Sequence, residues 1–311
     1  MFRSAVAVAL LGITTWATAA EPNGVATIVE GKAIVIRALN KLEVAEGVRL
    51  LADDLVHTGK DTFVRIEYDD GTSVDFGPET LLQLNHPARR KSELPGLYLL
   101  SGWLKLTSGK PQARYSASLG SPRFDALDLS GVVVVRADAE SAAVFCEQGT
   151  VRWVDRRVRG AKPITLKGGD FLAVRQDEPP SLQGRPTPEF LASLPRSFRD
   201  ALPSRLAKFQ GRQVVAKNLG AFSYSEVESW VNAEPPIRRQ FVFLWRAKAD
   251  DAAFRAALEH SLSMHPEWEP VLYPELYEPK PPPQTAPSGA GPVSGPVAGP
   301  APQPQSGAAT H

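Results

Sequence analysis

The stretch "GKDTFVRIEYDDGTSVDFGPETLLQL", residues 59–84, places two runs of alternating apolar residues on either side of "YDDG". Val64, Ile66 and Tyr68 share one face of the first run, and Val74 and Phe76 resume a face in the second. Alternation with period two predicts two strands, and Asp70-Gly71 between them predicts a hairpin corner at which glycine supplies a positive φ. A calcium loop is the competing reading of the acidic residues. It needs oxygen ligands at alternate positions over about a dozen residues, closed by a glutamate; Phe76 and Gly77 occupy that space. The corner reading is the one the residues favour, and the fold class that follows is β.

Working outward, residues 25–177 read as strand after strand: "KAIVIRAL", "VRLLADDLVHTG", "GLYLLSGWLKLTSG", "RYSASLG", "VVVVRA", "SAAVFCEQG", "TVRWV" and "PITLKGGDFLAVRQ". Each is rich in branched and aromatic residues and is bounded by Gly, Asp or Pro, the pattern of an all-β domain. "EGKAIVIR" followed by "EGVRLLADDLV" is echoed by "QGTVRWVD" followed by "LKGGDFLAV". Two such units predict a sandwich or a roll-like hairpin stack over residues 24–178.

The composition then changes. Residues 188–209, "PEFLASLPRSFRDALPSRLAKF", place Phe190, Leu191, Leu194, Phe198, Leu202 and Leu206 three and four apart. Thr187 is the predicted N-cap and Pro188 the first helical residue, while Pro195 and Pro203 cut the pattern into short pieces. "SYSEVESWVNAE", with Ser223 or Ser225 as cap, and the run from Arg238 to about Pro266 continue the helical period. A small α-helical domain is therefore expected over 187–277. Residues 279–311 hold ten prolines and five glycines in 33 residues, too little apolar area to repay ordering, so 278–311 is expected to stay a disordered Pro/Gly-rich tail.

The chain opens with Arg3, an apolar run from Ala5 to Ile13 and small residues up to Ala20, the layout of a cleaved secretory signal over residues 1–20. The expected location is the periplasm, with no later run long enough to cross a bilayer. Cys146 is the one cysteine and cannot form an internal disulfide. A formal net charge of +1, from 35 basic and 34 acidic residues, argues against bulk attraction to nucleic acid.

No constellation in the sequence points to an enzyme. Asp53, Asp54 and Asp170 each precede a strand and read as turn residues. Of His57, His86, His260, His265 and His311, the two on one helical segment are five apart, whereas a zinc pair needs four with a glutamate between. Nucleophile-elbow and phosphate-loop motifs are missing, so no catalytic, cofactor or metal residues are assigned. Two basic clusters, Arg89, Arg90 and Lys91 in "HPARRK" and Arg156 and Arg157 in "VDRRVRG", read first as solvated turns and otherwise as partner contacts for an acidic surface or an anionic envelope polymer. "EPPIRRQFVFLWR" sets Arg238, Arg239 and Arg246 around Phe241, Phe243, Leu244 and Trp245, which reads as the core of a small helical domain more than as a contact patch.

"EGKAIVIRALNKLEVAEGVRLLADDLVHTGKDTFVRIEYDDGTSVDFGPETLLQL", with the later "SGWLKL" and "LDLSGVVVVRADAESAAVFCEQGTVRWV", resembles the FecR-type periplasmic domain. Signalling members of that family sit in the inner membrane, control a sigma factor from a short cytoplasmic part and sense an outer-membrane transporter from the periplasm. This chain departs from that plan, carrying a cleavable signal where the cytoplasmic part and span would be. What the resemblance implies is an exported β domain that recognises an envelope component without catalysis. It also implies structural roles for Gly31, Gly47, Asp54, Gly59, Asp70, Gly71 and Pro78. "HPEWEPVLYPELYEPK" resembles, more loosely, the C-terminal extension of related exported proteins.

The expected function is that of a non-catalytic binding or scaffold protein of the cell envelope, with an envelope protein as partner and a signalling role open to it. The alternative is a module for peptidoglycan or another cell-wall polymer, held by exposed aromatic residues such as Trp103 and Trp153 beside the basic loops.

Overall fold

The computed structural model describes residues 22–84, 96–109 and 118–277. The signal region, the "HPARRK" loop, the first residues of "RYSASLG" and the Pro/Gly-rich tail lie outside them.

Strands fill the first part: β1 (Pro22–Glu30), β2 (Ala33–Arg37), β3 (Asn40–Glu43), β4 (Arg49–Leu51), β5 (Leu55–Thr58), β6 (Phe63–Glu67), β7 (Ser73–Phe76), β8 (Leu81–Leu84) and β9 (Leu97–Thr107). They continue with β10 (Ser118–Gly120), β11 (Phe124–Ala137), β12 (Ser141–Asp155), β13 (Ile164–Lys167), β14 (Phe171–Arg175), β15 (Ser181–Gln183) and β16 (Lys217–Ala221). Among the described strands pairing is antiparallel except for β9 with β10, and the isolated bridge between Val48 and Val214 is also parallel. β9 joins the halves, bonding to β7 and β8 on one side and to β10 and β11 on the other. One apolar core runs through both halves, from Val35, Ile66 and Phe76 to Val133, Cys146 and Trp153.

The "YDDG" corner has the predicted form. Tyr68 N–H bonds the Thr72 carbonyl at 2.9 Å, Gly71 N–H bonds the Tyr68 carbonyl at 3.0 Å, and Gly71 sits at φ 86°. The Asp70 carboxylate accepts from Thr72 N–H at 2.8 Å, as an Asx turn does.

"SAAVFCEQG" and "TVRWV", read in the sequence as two strands, are one fifteen-residue strand. Gly131 and Gly149 face each other across β11 and β12 with φ of 82° and 86°. A Cβ on Gly149 would lie 2.1 Å from the Ser130 carbonyl oxygen, so only glycine permits this close backbone crossing. The hairpin curls there so far that Arg123 at its root donates to the Ala139 carbonyl at its tip.

Among the described residues six α-helices follow: α1 (Pro188–Ser193), α2 (Arg196–Arg199), α3 (Tyr224–Val231), α4 (Pro235–Leu244), α5 (Ala252–His260) and α6 (Glu269–Leu272). Thr187 Oγ1 caps α1 by accepting from Phe190 N–H, and Ser223 with Glu226 forms a capping box at α3. The run 188–202 lies across the β domain as a strap, putting Phe190, Leu194 and Phe198 against Ile28, Phe63, Trp103, Val134 and Phe171. Residues 222–272 build a second cluster around Trp230, Phe241, Trp245, Phe254 and Trp268, to which the β domain contributes Ile36, Leu55 and Tyr98. Between strap and helices, β16 pairs with β3.

Candidate functional site

Beneath the strap, the outer faces of β6, β7 and β9 carry a row of charge. Arg65 and Asp75 are cross-strand partners and meet fork to fork, Nε to Oδ1 at 2.6 Å and Nη2 to Oδ2 at 2.7 Å. Burial works against the charged form of Arg65, and the Asp75 carboxylate more than restores it, so its pKa lies above the ordinary guanidinium value. The row also holds the strap's backbone. Arg65 Nη1 donates to the Leu202 carbonyl at 2.8 Å, Lys105 Nζ to the Phe198 carbonyl at 2.7 Å, and Glu67 accepts from Arg205 N–H at 2.9 Å and from the Ser204 hydroxyl. Sequence reading missed this row. Phe63, Arg65 and Glu67 alternate against Val64 and Ile66, so a polar outer face was legible, but the strap that buries it comes from residues 137 positions away.

A second polar cluster ties the helical region to the β domain. Glu234, the N-cap residue of α4, accepts from Tyr98 Oη at 3.0 Å and from Arg156 Nη1 at 2.7 Å, while Arg156 Nε lies 3.8 Å from Asp125. Burial raises the pKa of both Glu234 and Asp125, with Arg156 opposing. Close by, Trp230 Nε1 donates to His57 Nε2 at 2.8 Å. Burial pushes the His57 pKa down to about 4 against the pull of Glu226, so the ring is neutral and Nε2 is free to accept. Lys41 and Glu226 add an ion pair at 2.6 Å.

Arg156 contacts Glu234, Asp125 and the Ser121 carbonyl, and Arg157 contacts Asp155 and the carbonyls of Arg175, Gln176 and Glu178. The exposed-aromatic expectation for Trp103 and Trp153 is corrected. Trp103 is 9% exposed because the strap covers it, its ring centroid 5.5 Å from that of Phe190. Trp153 is 1% exposed, since Val151, Trp153 and Asp155 are the inward-facing positions of β12. Arg89, Arg90 and Lys91 lie outside the described residues.

The remaining chemistry is structural in its contacts. Asp54 accepts from Leu51 N–H and from Arg37, and Asp170 accepts from Lys167 N–H. His265 is buried, its Nδ1 3.0 Å from Asn232 Oδ1 and its Nε2 3.1 Å from the Leu258 carbonyl, whereas His260 is exposed. Buried Cys146 has its thiol pKa raised, burial first and Asp170 second. Among the described residues, no group of three or more His, Cys, Asp or Glu is placed to hold a metal ion, and no helix is long and apolar enough to cross a membrane.

The "IRRQFVFLWR" run divides between core and surface. Phe241 and Trp245 are buried and stack with centroids 4.3 Å apart. Phe243, 85% exposed, and Leu244, 42% exposed, face outward.

No family model matches the chain, and no curated protein matches it. Among solved structures, two crystal structures of a protein described as a "putative anti-sigma factor" from Parabacteroides distasonis align at TM-scores of 0.37 and 0.36. They are 14% and 13% identical over 44% of this chain. The alignments span 62% and 63% of those chains, less than two thirds of their length.

Proposed function

We propose that the protein is a non-catalytic periplasmic binding or scaffold protein whose β domain and helical region act as one presenting body for an envelope protein. The supporting observation is the use made of its partly and fully buried ionisable groups. Arg65 with Asp75, Arg37 with Asp54, Arg156 with Glu234, and His57 with Trp230 are tied to one another across strands, or between sheet and helices. Charges placed for acid–base chemistry would instead open on a cleft beside a substrate. Export to the periplasm rests on Arg3, the apolar run and the small residues up to Ala20.

Arg89, Arg90 and Lys91 remain the proposed steering contacts. Charges in water are screened beyond about 10 Å at 0.1 M ionic strength, so their contribution weakens with salt. The test compares capture of proteins from detergent-solubilised envelope with co-sedimentation on purified cell wall, both in chelator. Capture of an envelope protein, reduced at low salt when Arg89, Arg90 and Lys91 are replaced by serine, is the expected result. Sedimentation with cell wall alone would move the assignment to a polymer-binding module, and turnover of a cell-wall or sugar substrate would overturn the non-catalytic reading.

A further inference from the structure

We propose that the groove beneath the strap is a peptide-binding groove, that the strap is its resident occupant, and that a partner segment of the same pattern displaces it; this rests on the binding reading above and names its surface and partner chemistry. The strap fills the groove with Phe190, Leu194 and Phe198, spaced four apart. The Phe190 ring centroid lies 4.8 Å from that of Phe171 and 5.5 Å from that of Trp103, and the Phe198 centroid lies 6.3 Å from that of Phe63. These residues form an apolar cluster separate from the main core. Lifting the strap therefore uncovers the groove and leaves the core between the strands closed.

The polar row holds a backbone more than a particular sequence. Arg65 and Lys105 reach carbonyl oxygens of the strap and Glu67 a backbone N–H, groups that almost every residue offers. Each keeps a second partner once the strap leaves: Asp75 for Arg65 at 2.6 Å, Glu147 for Lys105 at 3.0 Å, and the Thr27 hydroxyl for Glu67 at 2.6 Å. Release thus strands no charge, the usual obstacle to opening such a contact. The strap also fits incompletely along both edges. A cavity of about 200 Å³ is lined by Phe171 of the groove with Glu189 and Ser193 of α1, and one of about 470 Å³ by Phe63 with Pro195 and Leu202. The groove is wider than its occupant. Glu30 and Asp61 line the second cavity together with Arg196 of the strap, which selects a basic residue at that position. The partner segment is therefore one with two aromatic residues eight apart, a leucine midway, and a proline and a basic residue directly after the leucine. Once lifted, the strap has little structure of its own, because its two helices have six and four residues, too short to persist alone in water. The segments on either side, residues 181–185 and 207–215, are exposed apart from Phe209, so the hinges disturb little core.

The probe is a labelled synthetic peptide of residues 187–205. Anisotropy titrations against the full chain should show saturable binding, weak in the parent because its own strap competes. Binding should tighten roughly tenfold or more when the resident strap carries Phe190→Ser and Phe198→Ser, since apparent affinity scales with the fraction of molecules whose groove is open. In the parent, excess peptide should speed cleavage of the chain's own strap at Arg196 during a brief trypsin pulse, a readout that does not depend on the folding of any variant. The same peptide with serine at both phenylalanine positions should neither bind nor speed cleavage.

Absence of saturable binding, equal binding of the serine peptide, or binding that leaves strap cleavage unchanged would overturn the proposal. Faster cleavage with solubilised cell-wall fragments but not with the peptide would assign the groove to a polymer and also overturn it. Capture of an envelope protein that saturating unlabelled peptide does not diminish would sink the groove as the partner's site while leaving the binding function standing.

Discussion

At Gly71 the backbone lies at φ 86°, in a region that costs a side-chain-bearing residue energy whatever space surrounds it. Space is not the constraint here, since an added Cβ would find only the Gly109 Cα, at 3.8 Å. Gly71→Val should therefore lose roughly 1 to 3 kcal/mol in denaturant titration, through strain alone. Asp69→Asn at the exposed neighbour should change little; a large calcium-dependent stabilisation abolished by Asp69→Asn would return the corner to the ion-site reading. His57 makes a pH-dependent prediction. The unfolded chain takes up a proton on this ring near pH 6.5, whereas the folded ring resists until about pH 4. Its contribution is thus complete above pH 6.5 and declines as pH falls toward 4, by about 3 kcal/mol at the lower end. The raised pKa values of Glu234 and Asp125 act in the opposite sense, favouring the folded state as they protonate. The His57 effect is consequently read as a difference from His57→Gln, whose amide oxygen can still accept from Trp230. Melting followed at about pH 7.5 and about pH 4.5 should show a smaller drop in the variant, and equal drops would show that His57 is not the group responsible.

The strap offers a sharper test of how elements are joined, because removing one member of a buried pair strands the other. Arg65→Met alone, or Asp75→Leu alone, should cost about 3 to 5 kcal/mol, whereas the double replacement should recover much of that loss. Arg65 also holds the Leu202 carbonyl, so the Arg65→Met chain should be cut faster by protease between Pro195 and Arg205. Additive losses in the cycle would mean that the pair is not coupled as its geometry requires. These elements also mark what was legible in the sequence. The hairpin corner, the strand series and the caps at Thr187 and Ser223 are local signals, carried by residues within four positions of one another. The curl at Gly131 and Gly149 was read as strand breaks, because a glycine marks a bend without revealing which strand it faces. The strap's proline-cut amphipathic pattern was visible, but its docking partner was not. Trp103 and Trp153 were misplaced for a related reason: side-chain type does not tell which face of a strand another element will cover. In the α4 run, Phe241 and Trp245 met the core expectation, while Phe243, two positions from each, turned outward with the helical period.

At the scale of the molecule, the question is whether the β domain and the helices are two bodies or one. Ile36, Leu55 and Tyr98 belong to strands yet sit in the same apolar cluster as Trp230, Phe241 and Trp245. The polar ties of Glu234 with Tyr98 and Arg156, and of Glu226 with Lys41, cross the same boundary. Residues 190–198 pack on a separate apolar cluster of the β domain that includes Ile28, Phe63 and Trp103, and β16 pairs with β3. A helical region held by shared core as well as by charge should not melt separately, so calorimetry, far-ultraviolet circular dichroism and tryptophan fluorescence should report a single coincident transition. Trp230→Ala removes a fully buried ring from the shared cluster and should cost about 3 to 5 kcal/mol. That loss should lower the transition of the strands together with that of the helices. Two resolved transitions in the parent, or a Trp230→Ala chain whose β signal melts unchanged, would show that the parts are independent, and with them would fall the reading of the protein as one presenting body.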